Sequence, residues 1–210
     1  MASSPRRARS HAYDLKRLTA DGFDDNGEIM VPDCVRVALR PLVDQIDALD
    51  ETIAAIDREL AALVKDDEAA KRLMTIPGIG PVTASAIVAT VPDMSAFASG
   101  REFAAFLGLT PRQSSTGGKE RLGRITKMGD RYLRKLLVVG ACATLHHRKG
   151  HNDALRLWAS ALIERKTVKY KFKLAAVALA NKVARIVYAL MTKGGHYELD
   201  PIGGTTGGWI

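Results

Sequence analysis

Cysteine is scarce in this chain. Cys34 and Cys142 are its only two, far apart and without any Cys-x-x-Cys or Cys/His spacing. That argues against a disulfide framework and a zinc site, and a reducing cytoplasm is the expected compartment. No run of about 18 apolar residues is seen to cross a bilayer, so no membrane partner is expected. Residues 1–10 hold arginines with no apolar segment behind them, which gives no secretory signal. Nothing alternates at period two over a useful length. Walker, HExxH, GxSxG and dinucleotide-binding signatures are also absent, so the corresponding enzyme classes lose their support.

What remains is a 210-residue chain of net charge +8, long enough for one or two domains. The charge is unevenly spread. Residues 101–150 hold eleven Lys/Arg against three Asp/Glu, a balance of +8, whereas residues 41–70 hold two against nine, a balance of −7. A polyanionic partner is expected for the basic segment.

Residues 1–34 are polar and irregular and read as a disordered or remnant lead-in. Next, Leu39, Leu42, Ile46, Leu49, Ile53, Ile56, Leu60 and Leu63 recur at alternating steps of three and four. This heptad seam predicts a coiled coil over residues 35–68, with Pro41 near the first turn and a homo-oligomeric partner favoured. The alternative is an amphipathic helix packed on its own domain. Residues 71–91 predict two short helices joined through Pro77-Gly78-Ile79-Gly80. As a helix–hairpin–helix, this turn would bring Gly78, Gly80 and the following amides to a DNA phosphate; as a plain hairpin it would be structural only. Phe97, Phe103 and Phe106 are expected in the core. Asp130 is expected to cap one helix, Asn152 or Asp153 to start the next, and a last long helix is predicted over residues 170–191. His146, His147 and His151 match no familiar metal site. The fold class is all-α.

The most informative stretch is residues 107–135. Ser114, Ser115 and Thr116 adjoin Gly117-Gly118, whose backbone amides could cradle a phosphate. Arg121, Arg124, Lys127, Arg131 and Arg134 then follow at steps of three or four, which on a helix would form one cationic stripe. Nucleic-acid chemistry and a solvated basic loop both fit those residues.

Taken in order, the heptad helix, IPGIGPVTASAIVA, FLGLTPRQSSTGGKERLGRITKMGDRYLRKLLVVGA and VALANKVARIVYAL resemble one family. The chain is similar to the C-terminal part of DEDD-type, bridge-RNA-guided bacterial insertion-sequence transposases, the 110/116/902 type, over about residues 35–198. The resemblance implies a helical transposase domain at 69–198, with the helix–hairpin–helix at 71–91 and the Ser/Gly loop at 110–119. A flexible tail is expected at 199–210. It further implies DNA as partner, a structured guide RNA, a nucleoid-associated bacterial location, and recombination through a phosphoserine link in a site shared by two subunits.

By the family's pattern the nucleophile is Ser115, with Ser114 and Thr116 as alternatives of register. Arg112, Lys119, Arg121 and Arg124 would neutralise the phosphate, while Lys127, Arg131, Arg134, Lys182 and Arg185 would extend DNA contact. The family's Mg²⁺ belongs to an N-terminal RuvC-like domain. Only about 34 residues precede the seam here. Asp14, Asp21, Asp24, Asp25 and Glu28 lie among them without a strand pattern, so no metal or cofactor is expected in this chain. The expectation is a chain that binds DNA and does not recombine it alone. The other readings are a non-catalytic DNA-binding module and an oligomerisation module.

Overall fold

The computed structural model describes residues 19, 32–114, 122–147, 153–165 and 170–198. The expected lead-in, the loop residues from Ser115 to Arg121, His151 and the 199–210 tail fall outside these, apart from Thr19 and residues 32–34 of the lead-in. The chain divides into two compact units, residues 1–59 and 60–210. Helix α1 (Asp33–Asp66) runs through the boundary. Because α1 begins at Asp33, Pro41 lies more than two turns inside it, not near its first turn. The cost is a missing donor for the Val37 carbonyl, at a point where both residues are exposed to water.

Within the first unit, most of the apolar seam faces solvent, with Leu39 and Ile46 half-buried. Leu42, Leu49, Ile53 and Ile56 are 52%, 55%, 55% and 50% exposed. Such periodic exposure differs from the scattered apolar residues of an ordinary surface.

The second unit continues with α2 (Glu68–Met74), α3 (Pro81–Thr90), a 3-10 turn (Met94–Ala96) and α4 (Gly100–Phe106). A hairpin of β1 (Pro111–Gln113) and β2 (Leu122–Ile125) follows, then α5 (Arg131–His146), α6 (Ala154–Glu164) and α7 (Lys171–Lys193). The expected all-α class holds as a mostly-α fold, with one small antiparallel hairpin among the described residues that the residue pattern does not announce. Short polar side chains set four of these helix starts. Asp67, Ser99, Asp130 and Asp153 each accept from amides of the first turn, Asp130 taking Leu133 N–H at 2.6 Å. Each such cap stabilises its helix by about 1 kcal/mol.

Helix α7 is the centre of this unit and packs against α5, α4, α6 and α2. Ala175, Ala176, Ala180 and Ala184 give it a narrow waist that lets neighbouring backbones close in, and Leu179, Val183 and Val187 fill the gaps. By length and composition α7 could cross a bilayer, contrary to the expectation that no such run exists. Here its buried face belongs to the core. Of the three phenylalanines expected in the core, Phe103 is buried, Phe97 is half-buried and Phe106 is 40% exposed; their rings still cluster, Phe97 lying 5.3 Å from Phe103 and 5.2 Å from Phe106 between centroids.

The α2–α3 turn is pressed onto α5. Gly78 has φ +90°, and a Cβ there would lie 2.5 Å from Thr144 Oγ1 and 2.6 Å from the Gly140 carbonyl oxygen. From the other side, a Cβ on Gly140 would come within 2.0 Å of the Gly78 carbonyl oxygen. Two glycines therefore allow backbone to touch backbone. Beyond α7, Tyr197 N–H donates to Thr75 Oγ1 at 2.8 Å and ties the following segment to the end of α2.

Candidate nucleic-acid interface

The hairpin arises from a local conflict between period and chemistry. Arg121, Arg124, Lys127, Arg131 and Arg134 have helical spacing, but Gly123, Thr126 and Gly129 lie between them and disfavour a helix. The expected single helical stripe is not what forms. Arg124 is on β2, Lys127 is in a turn at φ +58°, and Arg131 and Arg134 are in the first turns of α5. Pro111 pairs with Ile125 and Gln113 with Leu122, so β2 carries one extra residue, a bulge that turns the arm locally. Below the strands the pairing continues, Thr126 N–H donating to the Thr110 carbonyl (2.9 Å) and Lys127 N–H to that of Gly108 (3.1 Å).

At this base Arg112, Arg124, Ile125, Thr126 and Lys127 line a cleft of about 260 Å³. Three of the five are cations, and all three are exposed. Arg112 Nη2 lies 3.5 Å from the Thr126 carbonyl oxygen, and the Thr126 hydroxyl is buried with no hydrogen-bond partner. Thr126 was not singled out from the sequence, because an isolated threonine in a basic segment carries no pattern. Ser114 is exposed and follows β1 directly. Ser115, Thr116, Lys119 and Arg121 lie in the connecting segment, outside the described residues.

Arg134 does a different job from the one its spacing suggested. Its half-buried guanidinium donates Nη1–H to the Leu107 carbonyl at 2.9 Å and to the Met128 carbonyl at 3.3 Å, fastening α5 to the foot of the arm. Arg131 stays exposed. Lys182 is half-buried with its Nζ 4.6 Å from the Trp158 ring centroid, and burial, then the Arg185 charge, lowers its pKa. Arg185 is half-buried on the same helix. Neither joins the cleft lining. Gly78 has a packing reason for being glycine, whereas a Cβ on Gly80 would meet nothing within 4 Å. Of the two turn glycines, Gly80 has the open face. His146 packs beside Phe172, 4.7 Å between centroids with the rings tilted by 46°, as part of a helix end.

Residues 70–156, which include the α2–α3 turn, the arm and α5, match the model of the transposase IS116/IS110/IS902 family. The chain is 45% identical over 155 residues to a Pseudomonas aeruginosa protein named "Probable family 20 transposase", a match covering 74% of this chain and 45% of that protein. It is 45% identical over 144 residues to the transposase for insertion sequence element IS1111A of Coxiella burnetii, covering 69% of this chain and 38% of the relative. With the transposase for IS1328 of Yersinia enterocolitica it shares 42% over 146 residues, 70% of this chain and 42% of the relative. The matches thus span less than half the length of these curated relatives. Over residues 70–156 the chain carries the domain of the IS116/IS110/IS902 transposase family.

Proposed function

We infer that this domain serves DNA transposition by holding DNA phosphates at the hairpin arm and presenting Ser115 as the nucleophile for strand cleavage and rejoining. The observation that carries this is the convergence of Arg112, Arg124 and Lys127 on one cleft, at the foot of an arm whose connecting segment bears the hydroxyls. Attack by the Ser115 Oγ on a phosphodiester forms a P–Oγ bond and breaks the bond to one sugar oxygen. The serine gives up its proton and the departing oxygen takes one. Negative charge grows on the phosphate in between, and fixed cations stabilise it best when water is displaced. Lys119 and Arg121 belong to the same segment and supply the remaining positive charge, with Gly80 and its following amides as an outlying phosphate contact. The family resemblance places Mg²⁺ on acids of an RuvC-like domain. Among the described residues no three of His, Cys, Asp or Glu gather, and no step here runs through a metal.

Binding tests this reading before chemistry does. A duplex oligonucleotide titrated at several salt concentrations should lose affinity linearly in log–log form, and each of R112A, R124A, K127A and R131A should flatten the slope by about one. R134A should behave otherwise. It removes a charged donor from two carbonyls and costs about 2–3 kcal/mol of stability. A quadruple variant lacking the four exposed cations yet keeping the wild-type slope would sink the assignment.

The exposed seam of α1 fits a second copy of the chain as its partner. A coiled coil would bury Leu42, Ile46, Leu49, Ile53 and Ile56 at successive a and d positions. Sedimentation should give a dimer that the double variant Leu49→Lys, Ile53→Lys converts to monomer. A monomeric wild type at tens of micromolar would remove this partner (a concentration of order set by weak coiled coils, about 10 μM at −6.8 kcal/mol).

A further inference from the structure

The entry into α5 carries two large exposed side chains that the phosphate reading does not use. Met128 is 69% exposed and Tyr132 is 55% exposed, four positions apart. Single exposed apolar groups are ordinary, but these two are set in the most basic part of the described chain. Lys127, Arg131 and Lys135 alternate with them, and all three are exposed. Asp130 is the only acid in residues 122–147, and its Oδ1 accepts the Leu133 amide at 2.6 Å as the α5 cap.

This surface is also held firmly. Arg134 bonds the Met128 carbonyl, and Lys127 N–H bonds that of Gly108. Gly129, at φ +83°, passes so close to α4 that a Cβ would lie 1.6 Å from the Phe106 carbonyl oxygen. A Cβ on Gly108 would sit 2.2 Å from the Met128 carbonyl oxygen. The turn bearing Met128 and the helix start bearing Tyr132 are thus locked together before any ligand arrives.

We propose that Tyr132, with Met128 beside it, is a stacking platform for an unpaired nucleotide whose flanking phosphates lie on Lys127, Arg131 and Lys135. The occupant follows from the mixture of groups. Cations alone fit the backbone of any duplex, but an exposed phenol ring among them gains most from a flat π-face. A base offers that face only when it has left the helical stack. A strand opened for cleavage and rejoining would provide such a base, so the inference rests on the transposase reading while adding a second contact to it.

The test uses the whole 210-residue chain and four fluorescently labelled probes of equal length. These are oligo(dT), oligo(U), an abasic single strand and a DNA duplex. Wild type should bind oligo(dT) more tightly than the abasic strand. Tyr132→Ala should weaken oligo(dT) binding about tenfold, within the range set by one lost base stack, while duplex binding stays within about twofold. Tyr132→Phe and Tyr132→Trp should retain oligo(dT) binding, which separates a stacking role from lost folding. Equal loss on oligo(U) and oligo(dT) marks a platform for any unpaired base, and a loss confined to one assigns the strand to DNA or RNA. If Tyr132→Ala leaves oligo(dT) binding unchanged, or the abasic strand binds as well as oligo(dT), the platform is wrong even though duplex binding stands. If no probe binds, both it and the DNA-binding reading fall.

Discussion

Gly140→Ala is expected to destabilise the protein by about 2–3 kcal/mol, lowering the unfolding midpoint by roughly 5–10 °C. The sign is the informative part. In an exposed helix interior the same change would add about 1 kcal/mol of stability, since alanine is the better helix former. Here the new methyl would lie 2.0 Å from the Gly78 carbonyl oxygen, a backbone atom that cannot rotate away as a side chain could. To relieve the overlap, the α2–α3 turn must lift off α5, uncovering part of the core around Ile76 and Ile79, which are 1% and 6% exposed. Gly78→Ala meets the same contact from the other side, with the added strain of a positive φ. Gly80→Ser is the matched control. Its Cβ would enter open space at φ −103°, and serine is a good residue at that helix-capping position, so the change should stay within about 0.5 kcal/mol. Urea unfolding followed by far-ultraviolet circular dichroism measures all three. A stabilised Gly140→Ala would mean that the two backbones are not in contact.

That contact explains where sequence reading reached and where it stopped. Helices with a periodic apolar face were legible. Of the positions their spacing turns inward, Leu133, Leu137 and Ala141 of α5 and Ala176, Leu179, Val183 and Val187 of α7 are buried, while Leu136, Val138, Phe172, Ile186 and Leu190 are half-buried. Starts were legible too, because Asp130 and Asp153 cap by side-chain chemistry that acts within three residues. The hairpin was not. Its strands have three and four residues, too few for period-two alternation to register, and one of them is bulged. The basic residues there repeat at helical intervals by coincidence of a strand, a left-handed turn and a helix start laid end to end. Gly123 and Gly129 were the available warning. Gly140 gave no warning at all, since its reason lies 62 residues away at Gly78.

The same limit applies to the cations of the candidate site. Spacing alone ranked Arg131 and Arg134 equally. Tertiary structure separates them, because only Arg134 finds two backbone carbonyls, across 27 and 6 residues of sequence. Conversely, Arg112 and Arg124, twelve positions apart, become neighbours across the paired strands. An anion in the cleft that both line would be attracted by each of them. This supports a binding role for the cleft beyond what a surface arginine count would give.

Removal of one hydroxyl should then separate binding from chemistry. Ser115→Ala is expected to abolish covalent attachment to DNA while duplex affinity and its salt slope remain as in wild type, because alanine removes the nucleophilic oxygen and leaves every cation in place. The step can be examined without relying on a second protein to activate the leaving group. A thymidine phosphodiester with p-nitrophenolate as the leaving group departs without protonation, so the attacking hydroxyl carries the remaining demand. Wild type should release p-nitrophenolate in a burst and gain one nucleotidyl mass on the peptide containing residues 113–119. Ser115→Ala should lower the burst at least about a hundredfold, as loss of a covalent nucleophile does elsewhere. Ser114→Ala is the sharper comparison, one residue away and exposed just after β1. If label falls on Ser114 or Thr116, the nucleophile shifts by one position and the cleft assignment survives. If Ser115→Ala labels as fast as wild type and no hydroxyl of the loop carries the adduct, the arm binds phosphate without attacking it, and the domain's part in transposition is to hold DNA for another group to cut.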